Sequence, residues 1–477
     1  MRCYDRRMTI GKVDINAAIG EIQQQIENDP DVSPGLVKSI NILILVIQLL
    51  VERLGINSAN SSLPPSKDKK TRKKRTSARK RSGKKPGGQP GHDGETLQQF
   101  AEPDEVVELE IDRRTLPNRD DFKSVGVETR QVIDVVMELC ITEYRAEVVE
   151  DSDGNQYVAT FPEGVTKAVQ YGPSVRALST YMSQYQLIPY NRVQEVFADQ
   201  FGLELSQGSI ANFNKEAYEK LAGFEEKLRQ NLGSASVLNA DETGIKIGDK
   251  IHWLHVLCTP KSTLFFPHDK RGKEAIADLG ILDGFKGVLC HDGWKPYFGY
   301  ECDHALCNAH HLRELQWVID FKSQAWAMEM KKLLLEIKRK VEKRGGVLKP
   351  PRQQEYVEKY RQVIRQGKRE CPMTLPTKGS GKKKAAQTKE RNLLDRLEKY
   401  EDWVLLFMKE KLVPFTNNRA ERDIRMTKVH QKISGCFRSM AGAQYFCRIR
   451  SYLLTSIKRG HSPYFQLLKI FEPEFAE

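Results

Sequence analysis

Residues 237–247, VLNADETGIKI, set apolar and β-branched residues at both ends of a compact polar group, Asp241-Glu242-Thr243. The pattern predicts a strand emerging from a buried sheet, so a chain of this kind must fold around a sheet with acid at its centre. Side chains alternate along a strand. Asn239, Asp241 and Thr243 therefore share one face, and Ala240, Glu242 and Gly244 the other. A carboxylate held on a rigid central strand can bind a metal ion; an acidic strand end or turn is the plainer alternative.

Downstream residues enlarge that strand into a domain. Residues 251–258 and 263–266 read as two further strands in hairpin order, and 273–279 as a short helix. GVLCHDG (287–293) is another strand ending in an acid and a glycine, and 304–314 passes from strand to helix. Three strands, a helix and a strand, with Asp on the first and fourth strands, is the order of an α/β, ribonuclease-H-like domain. Charged helices at 325–344, 353–369 and 390–411 interrupt it, and the composition of the Lys/Gly/Pro stretch 371–389 between them predicts a mobile loop. Helices at 417–428 and 442–458 complete the chain.

Upstream, residues 9–54 read as helical, and Leu36 to Leu54 keep a 3–4 apolar spacing. A helix that apolar must be covered, either by a second copy as a short coiled coil or within its own monomer. The greasiest run, Ile40 to Val51, falls short of the roughly twenty residues of a membrane span. No signal-like start precedes it, and the 9 cysteines have no paired spacing. The expectation is a cytoplasmic protein with reduced thiols and no membrane partner.

Lys and Arg number 76 against 63 Asp and Glu, a formal net charge of +13, which favours a polyanionic partner such as nucleic acid. The surplus concentrates in Lys67 to Lys85, with twelve basic residues and one acid. Like charges so dense cannot collapse onto a core. Lys69, Lys70, Arg72, Lys73, Lys74, Arg75, Arg79, Lys80 and Arg81 are the candidate phosphate contacts, the alternative being a solvated linker. Residues 104–162 alternate like short strands at 106–111, 132–136 and 144–149, predicting a small β module. A helix over 191–200, a glycine turn at 201–205 and a helix capped by Ser206 outline a helix-turn-helix, an outline that ordinary helical hairpins share.

Cleavage or transfer at phosphodiesters suits two divalent cations about 3.5–4 Å apart. Mg²⁺ takes carboxylates and keeps several waters. The candidate ligands are Asp241, Asp292 and Glu421. Glu421 has a competing explanation, because Asn418-Arg419-Ala420-Glu421 fits a capping box with Asn418 as N-cap. Capping does not account for Arg425, one turn beyond Glu421 on the same face and a candidate DNA contact. Asp423, the rival acid, points elsewhere. Cys307 and His310 have a C-x2-H spacing with Cys302 nearby, but no second tight pair completes a zinc site, so zinc is not expected.

The chain resembles the IS66 family of insertion-sequence transposases. The resemblance rests on NSANSSLPPS (57–66), GGQPGHDGETL (87–97), ADETG (240–244), HDGWKPY (291–297), CNAHHLREL (307–315), NNRAERDIR (417–425) and TSIKRGHSPYFQLL (455–468), in that order. It implies a DDE transposase: a ribonuclease-H-like catalytic core interrupted by a helical insertion, with N-terminal helical and small β modules. It implies Asp241, Asp292 and Glu421 as the catalytic, metal-binding acids and two Mg²⁺ (or Mn²⁺) ions. It further implies terminal inverted repeats and target DNA as partners, a homodimer or larger assembly on DNA, and small accessory proteins of the same element. The expected activity is strand cleavage followed by 3′-hydroxyl strand transfer; a cleavage-only nuclease or an inactive repressor is the alternative. One departure is plain. Relatives commonly carry paired cysteines after the GHxG motif, whereas residues 98–170 contain only Cys140.

The expected division is a helical segment 1–56, a basic linker 57–97, the β module 98–170 and a helix-turn-helix-like region 171–235. The core then runs over 236–316 and 413–477, around an insertion at 317–412.

Overall fold

The structure is a computed structural model that describes residues 9–10, 13–29, 32–61, 97–112, 114, 125–374 and 386–473. The basic run 67–85, the motif at 87–96 and residues 375–385 of the expected loop lie outside the described residues. The chain divides into two compact units, Lys70–Glu143 and the remainder, Met1–Lys69 with Tyr144–Glu477.

The first described elements are the two-residue strands β1 (Thr9–Ile10) and β2 (Val13–Asp14), then helices α1 (Ile15–Asn28) and α2 (Pro34–Gly55). The stretch 9–54 expected to be helical thus begins with two short strands and holds two helices. The second starts afresh at Ser33, whose hydroxyl accepts from the Leu36 N–H, with Pro34 in the first turn where a missing N–H does no harm. At 22 residues and a mean hydropathy of 2.0, α2 is long and apolar enough to cross a membrane by length and composition. The twelve-residue run from which a span was excluded therefore understates this helix.

In the smaller unit, the Gln131 side chain both donates to the Phe100 carbonyl and accepts from the Phe100 N–H. The expected strands at 106–111 and 132–136 do not form; Val132 is 94% exposed. Alternation makes a strand only where a neighbouring edge takes its backbone groups and a core covers one face, and neither is present among the described residues of this unit. In the larger unit, the 144–149 stretch yields just β3 (Val148–Glu150), paired with β4 (Gln156–Val158) in an exposed hairpin.

Helices α3 (Pro173–Thr180), extended by a π-helical turn at Tyr181–Tyr185, α4 (Tyr190–Phe201), α5 (Gln207–Lys220) and α6 (Ala222–Gly233) come next. Gly202 ends α4 at φ +63, in the left-handed region that glycine enters freely, and Ser206 caps α5 as expected.

The central sheet has the strand order β7-β6-β5-β8-β9. β5 (Val237–Ile247), β6 (Lys250–Cys258) and β7 (Thr263–His268) form an antiparallel meander. Helix α7 (Lys273–Leu279) then crosses to β8 (Val288–His291), which runs parallel to β5, with β9 (Asp303–Leu306) parallel to β8. The even-numbered face of β5, with Leu238 and Ala240, packs on Leu228 and Leu232 of α6 and Ile276 and Leu279 of α7. Its odd face, with Ile245 and Ile247, packs under the last helices.

Between sheet and last helices lie α8 (Asn308–Lys322), α9 (Ala325–Lys343), α10 (Pro350–Glu370), α11 (Lys389–Lys399) and α12 (Glu401–Lys409). The helix expected over 390–411 is therefore two, parted at Tyr400. They share one apolar core with β8 and β9 around Trp326, Met330, Tyr360 and Leu394. Helices α13 (Asn418–Ile433), α14 (Met440–Lys458) and α15 (Pro463–Phe471) close the chain, α13 and α14 on the odd face of β5 and α15 against α3 and α5.

Candidate active site

Asp241 and Asp292 stand at the same level of neighbouring strands. β5 and β8 pair in parallel with Asn239 opposite Cys290; two residues further on come Asp241, still in β5, and Asp292, just past the end of β8. Asp292 Oδ1 accepts from the Trp294 N–H at 2.9 Å, and Asp241 Oδ1 from the Glu242 N–H at 2.9 Å. Gly293, at φ +94, permits the turn between Asp292 and Trp294.

Glu421 reaches this face from α13, which an interlocked polar joint fixes to β5. The buried Asn239 amide donates to Asn417 Oδ1 (2.8 Å), and Asn417 Nδ2 donates to the Ala240 carbonyl (2.7 Å). Arg419 Nη1 donates to Asn239 Oδ1 (2.8 Å). This joint stands where the competing capping-box explanation would apply. Asn417, not Asn418, precedes the helix, no side chain caps it, and Glu421 falls in the fourth helical position. The Asn417 side chain is already engaged by β5, so it does not serve the helix's own N–H groups. Asp423 does point elsewhere, to Thr263 and Lys458. Arg425 is exposed on α13.

Electrostatics link the three acids. The Asp241 carboxyl is pushed up to about 8, first by burial and then by the charges of Glu242, Asp292 and Glu421. The ligand atoms of the three are not among the groups found within 4.8 Å of one another; among the described residues that distance gathers Cys307, His310 and Glu421 instead. Glu421 Oε1 lies 3.8 Å from His310 Nδ1 and 4.0 Å from Arg313 Nη2. Burial and the neighbouring Arg313 hold the His310 imidazole below its usual range.

On the opposite face of β5, the Glu242 side chain is 2% exposed and pairs with Arg271 at 2.7 Å. The Arg271 guanidinium lies over the Trp253 and Trp294 rings, 4.8 and 4.6 Å from their centroids, while the Tyr297 hydroxyl donates to Glu242 Oε2. Burial raises the Glu242 carboxyl, and its bond from Arg271 opposes the rise. Glu242 thereby clamps the 292–297 turn to β5 from behind. Beneath that turn, His291 Nε2 meets His304 Nδ1 at 3.1 Å and its Nδ1 accepts from the Gly293 N–H. Burial lowers His291 to about 3, which keeps it neutral.

Sequence reasoning missed Asn239, Asn417, Arg419, Glu242, Arg271 and Tyr297 as parts of this site. The one signal in the sequence was an amide, Asn239, inside an otherwise apolar strand start. The candidate contacts Lys69, Lys70, Arg72, Lys73, Lys74, Arg75, Arg79, Lys80 and Arg81 lie outside the described residues.

A family of unknown function, DUF6444, matches residues 9–98. None of the curated proteins matches the chain. A model described as the transposase IS66 family matches residues 168–445, from the start of the helical region through β5, β8 and α13. That match spans more than half of the 477 residues, and the chain belongs to the IS66 family of transposases.

Proposed function

We propose that this transposase cuts DNA at the ends of its element and joins the freed 3′ hydroxyls to a target, with Asp241, Asp292 and Glu421 as its catalytic acids. The core is read as ribonuclease-H-like, which the 3-2-1-4-5 strand order and the parallel β5-β8-β9 edge support. The observation that carries the reading is the placement of acids on β5, just past β8 and on α13, with Asp292 and Glu421 among the charges that, after burial and Glu242, raise Asp241 to about 8.

The donor set suits hard divalent cations, Mg²⁺ or Mn²⁺. All three groups are carboxylates, and Glu421 Oε1 is buried without a hydrogen-bond partner. When bound there, a pair of such ions supplies activation of the attacking oxygen and stabilisation of the leaving oxygen. The chain's part is to hold the acids. Asp241 and Asp292 each commit one oxygen to a backbone N–H, which orients the carboxylate. The Asn239–Asn417–Arg419 joint fixes the start of α13 and thus Glu421. The same site serves twice: a water attacks first, and the freed 3′ hydroxyl attacks second.

DNA is held elsewhere in this reading. The basic run 67–85, the α4–turn–α5 pair and the exposed Arg425 are the proposed contacts, since phosphate binding by Lys and Arg supplies affinity rather than chemistry. Two element ends need two active sites, so the working form is a homodimer or larger, with accessory proteins of the same element as further partners.

Incubation with Mg²⁺ and the flanking inverted repeats tests the reading. Nicked and joined products at the element ends are expected, and none without divalent metal. Nicks that never join would make the chain a nuclease, and binding without nicks a repressor.

A further inference from the structure

Among the described residues, the cluster of possible metal ligands that includes Glu421 contains neither of the other two acids. Cys307 follows β9 and precedes α8, His310 stands in the first turn of α8, and Glu421 comes from α13. One ligand atom from each lies within 4.8 Å of the others. His310 Nδ1 and Glu421 Oε1, 3.8 Å apart, are too far to hydrogen bond, and both are buried without a partner. Buried polar atoms left unsatisfied are costly, so their convergence asks for a third body.

We propose that Cys307, His310 and Glu421 bind a single divalent ion of borderline softness, with Zn²⁺ or Co²⁺ as its chemical type. A thiolate, an imidazole and a carboxylate form a donor set that Mg²⁺ does not choose and that Zn²⁺ does. Tetrahedral Zn²⁺, with bonds of about 2.0–2.3 Å, sets its ligand atoms roughly 3.3–3.7 Å apart, so binding contracts the cluster modestly by side-chain rotation. Arg313, 4.0 Å from the same Glu421 oxygen, gives way as the ion enters. Three protein ligands leave a fourth position open. The C-x2-H pair alone lacked a further ligand in sequence; the fold supplies it from 111 residues beyond His310.

One consequence rests on the function proposed above. An ion in this cluster takes the Glu421 carboxylate away from Asp241 and Asp292, so Zn²⁺ inhibits Mg²⁺-dependent cleavage.

Cobalt titration of the full chain tests the site. Co²⁺ is expected to bind with a near-ultraviolet thiolate-to-cobalt charge-transfer band that saturates at one equivalent and is reversed by Zn²⁺. Cys307→Ser removes the band, and His310→Gln weakens Co²⁺ binding at least roughly tenfold, the loss typical of even an outer-shell partner. Thermal melting of both variants within a few degrees of the parent shows that they fold. A parent without the band, or a band that survives Cys307→Ser, overturns the proposal. The readout is independent of activity: a cobalt band in a chain that never cleaves DNA sinks only the catalytic reading, and cleavage without the band sinks only this one.

Discussion

A carboxyl raised to about 8 has a thermodynamic signature of its own. The ordinary Asp value is about 3.9 when unfolded, so between about pH 4 and 8 the native state holds a proton that the unfolded state has lost. Metal-free stability must therefore fall as pH rises through that window. Asp241→Asn is expected to remove this part of the slope and to melt above the parent at pH 7.5 in chelator, while losing cleavage. A difference in melting temperature between parent and variant that is the same at pH 5 and pH 7.5 would mean that the Asp241 carboxyl is not raised in the folded protein. Asn417→Ala tests the joint. It leaves the buried Asn239 amide without its acceptor, which costs about 1–3 kcal/mol, and it frees the start of α13. Reduced cleavage with unchanged DNA affinity is the expected result; full activity would show that Glu421 is held by other means. Of these residues Asp241, like Asp292, could be singled out in the sequence as a candidate, because carboxylate, strand and glycine stand together in ADETG and HDG. Asn239 and Asn417 could not, since an amide's role depends on a partner 178 positions away that periodicity cannot reveal.

Elements were legible where a packed core enforces the pattern. The five strands of the sheet, α7 and the Ser206-capped α5 follow their apolar spacing because each buries one face. The expected strands at 106–111 and 132–136 do not form; among the described residues no core covers their alternating side chains. Helix α2 stands between these cases. Ile44 is buried and Glu52 pairs with Lys322, while Asn60, just beyond the helix, donates to Asp320 of α8. Yet Leu43, Leu45, Leu49 and Leu50 remain exposed, Leu43 at 60%. The heptad Leu36-Ile40-Leu43-Ile47-Leu50-Leu54 puts Ile at a and Leu at d in its middle, the choice that favours two parallel strands. A second copy is therefore the proposed cover. Replacing Leu43 and Leu50 with Lys places charge in that seam at a cost of several kcal/mol. The variant is expected to turn monomeric in light scattering and to lose paired-end joining while keeping single-end nicks. A parent-like oligomer in the variant would place the interface elsewhere.

At the scale of the whole molecule, the net charge of +13 and the ordered motifs pointed to a DNA-processing chain, and the IS66 match over residues 168–445 agrees with the motifs. How the three candidate acids are placed was beyond sequence, because it depends on how α13 returns to β5 after helices α8 to α12. The proposed chemistry depends on that return. Its most direct measurement is single-turnover cleavage of a labelled inverted-repeat duplex in Mg²⁺ by Asp241→Asn, Asp292→Asn and Glu421→Gln, with DNA affinity measured in parallel. Each variant is expected to lose roughly 10²–10³-fold or more in cleavage rate at nearly unchanged affinity. Cleavage within tenfold of the parent by any one of them, at matched DNA occupancy, would contradict the three-acid site.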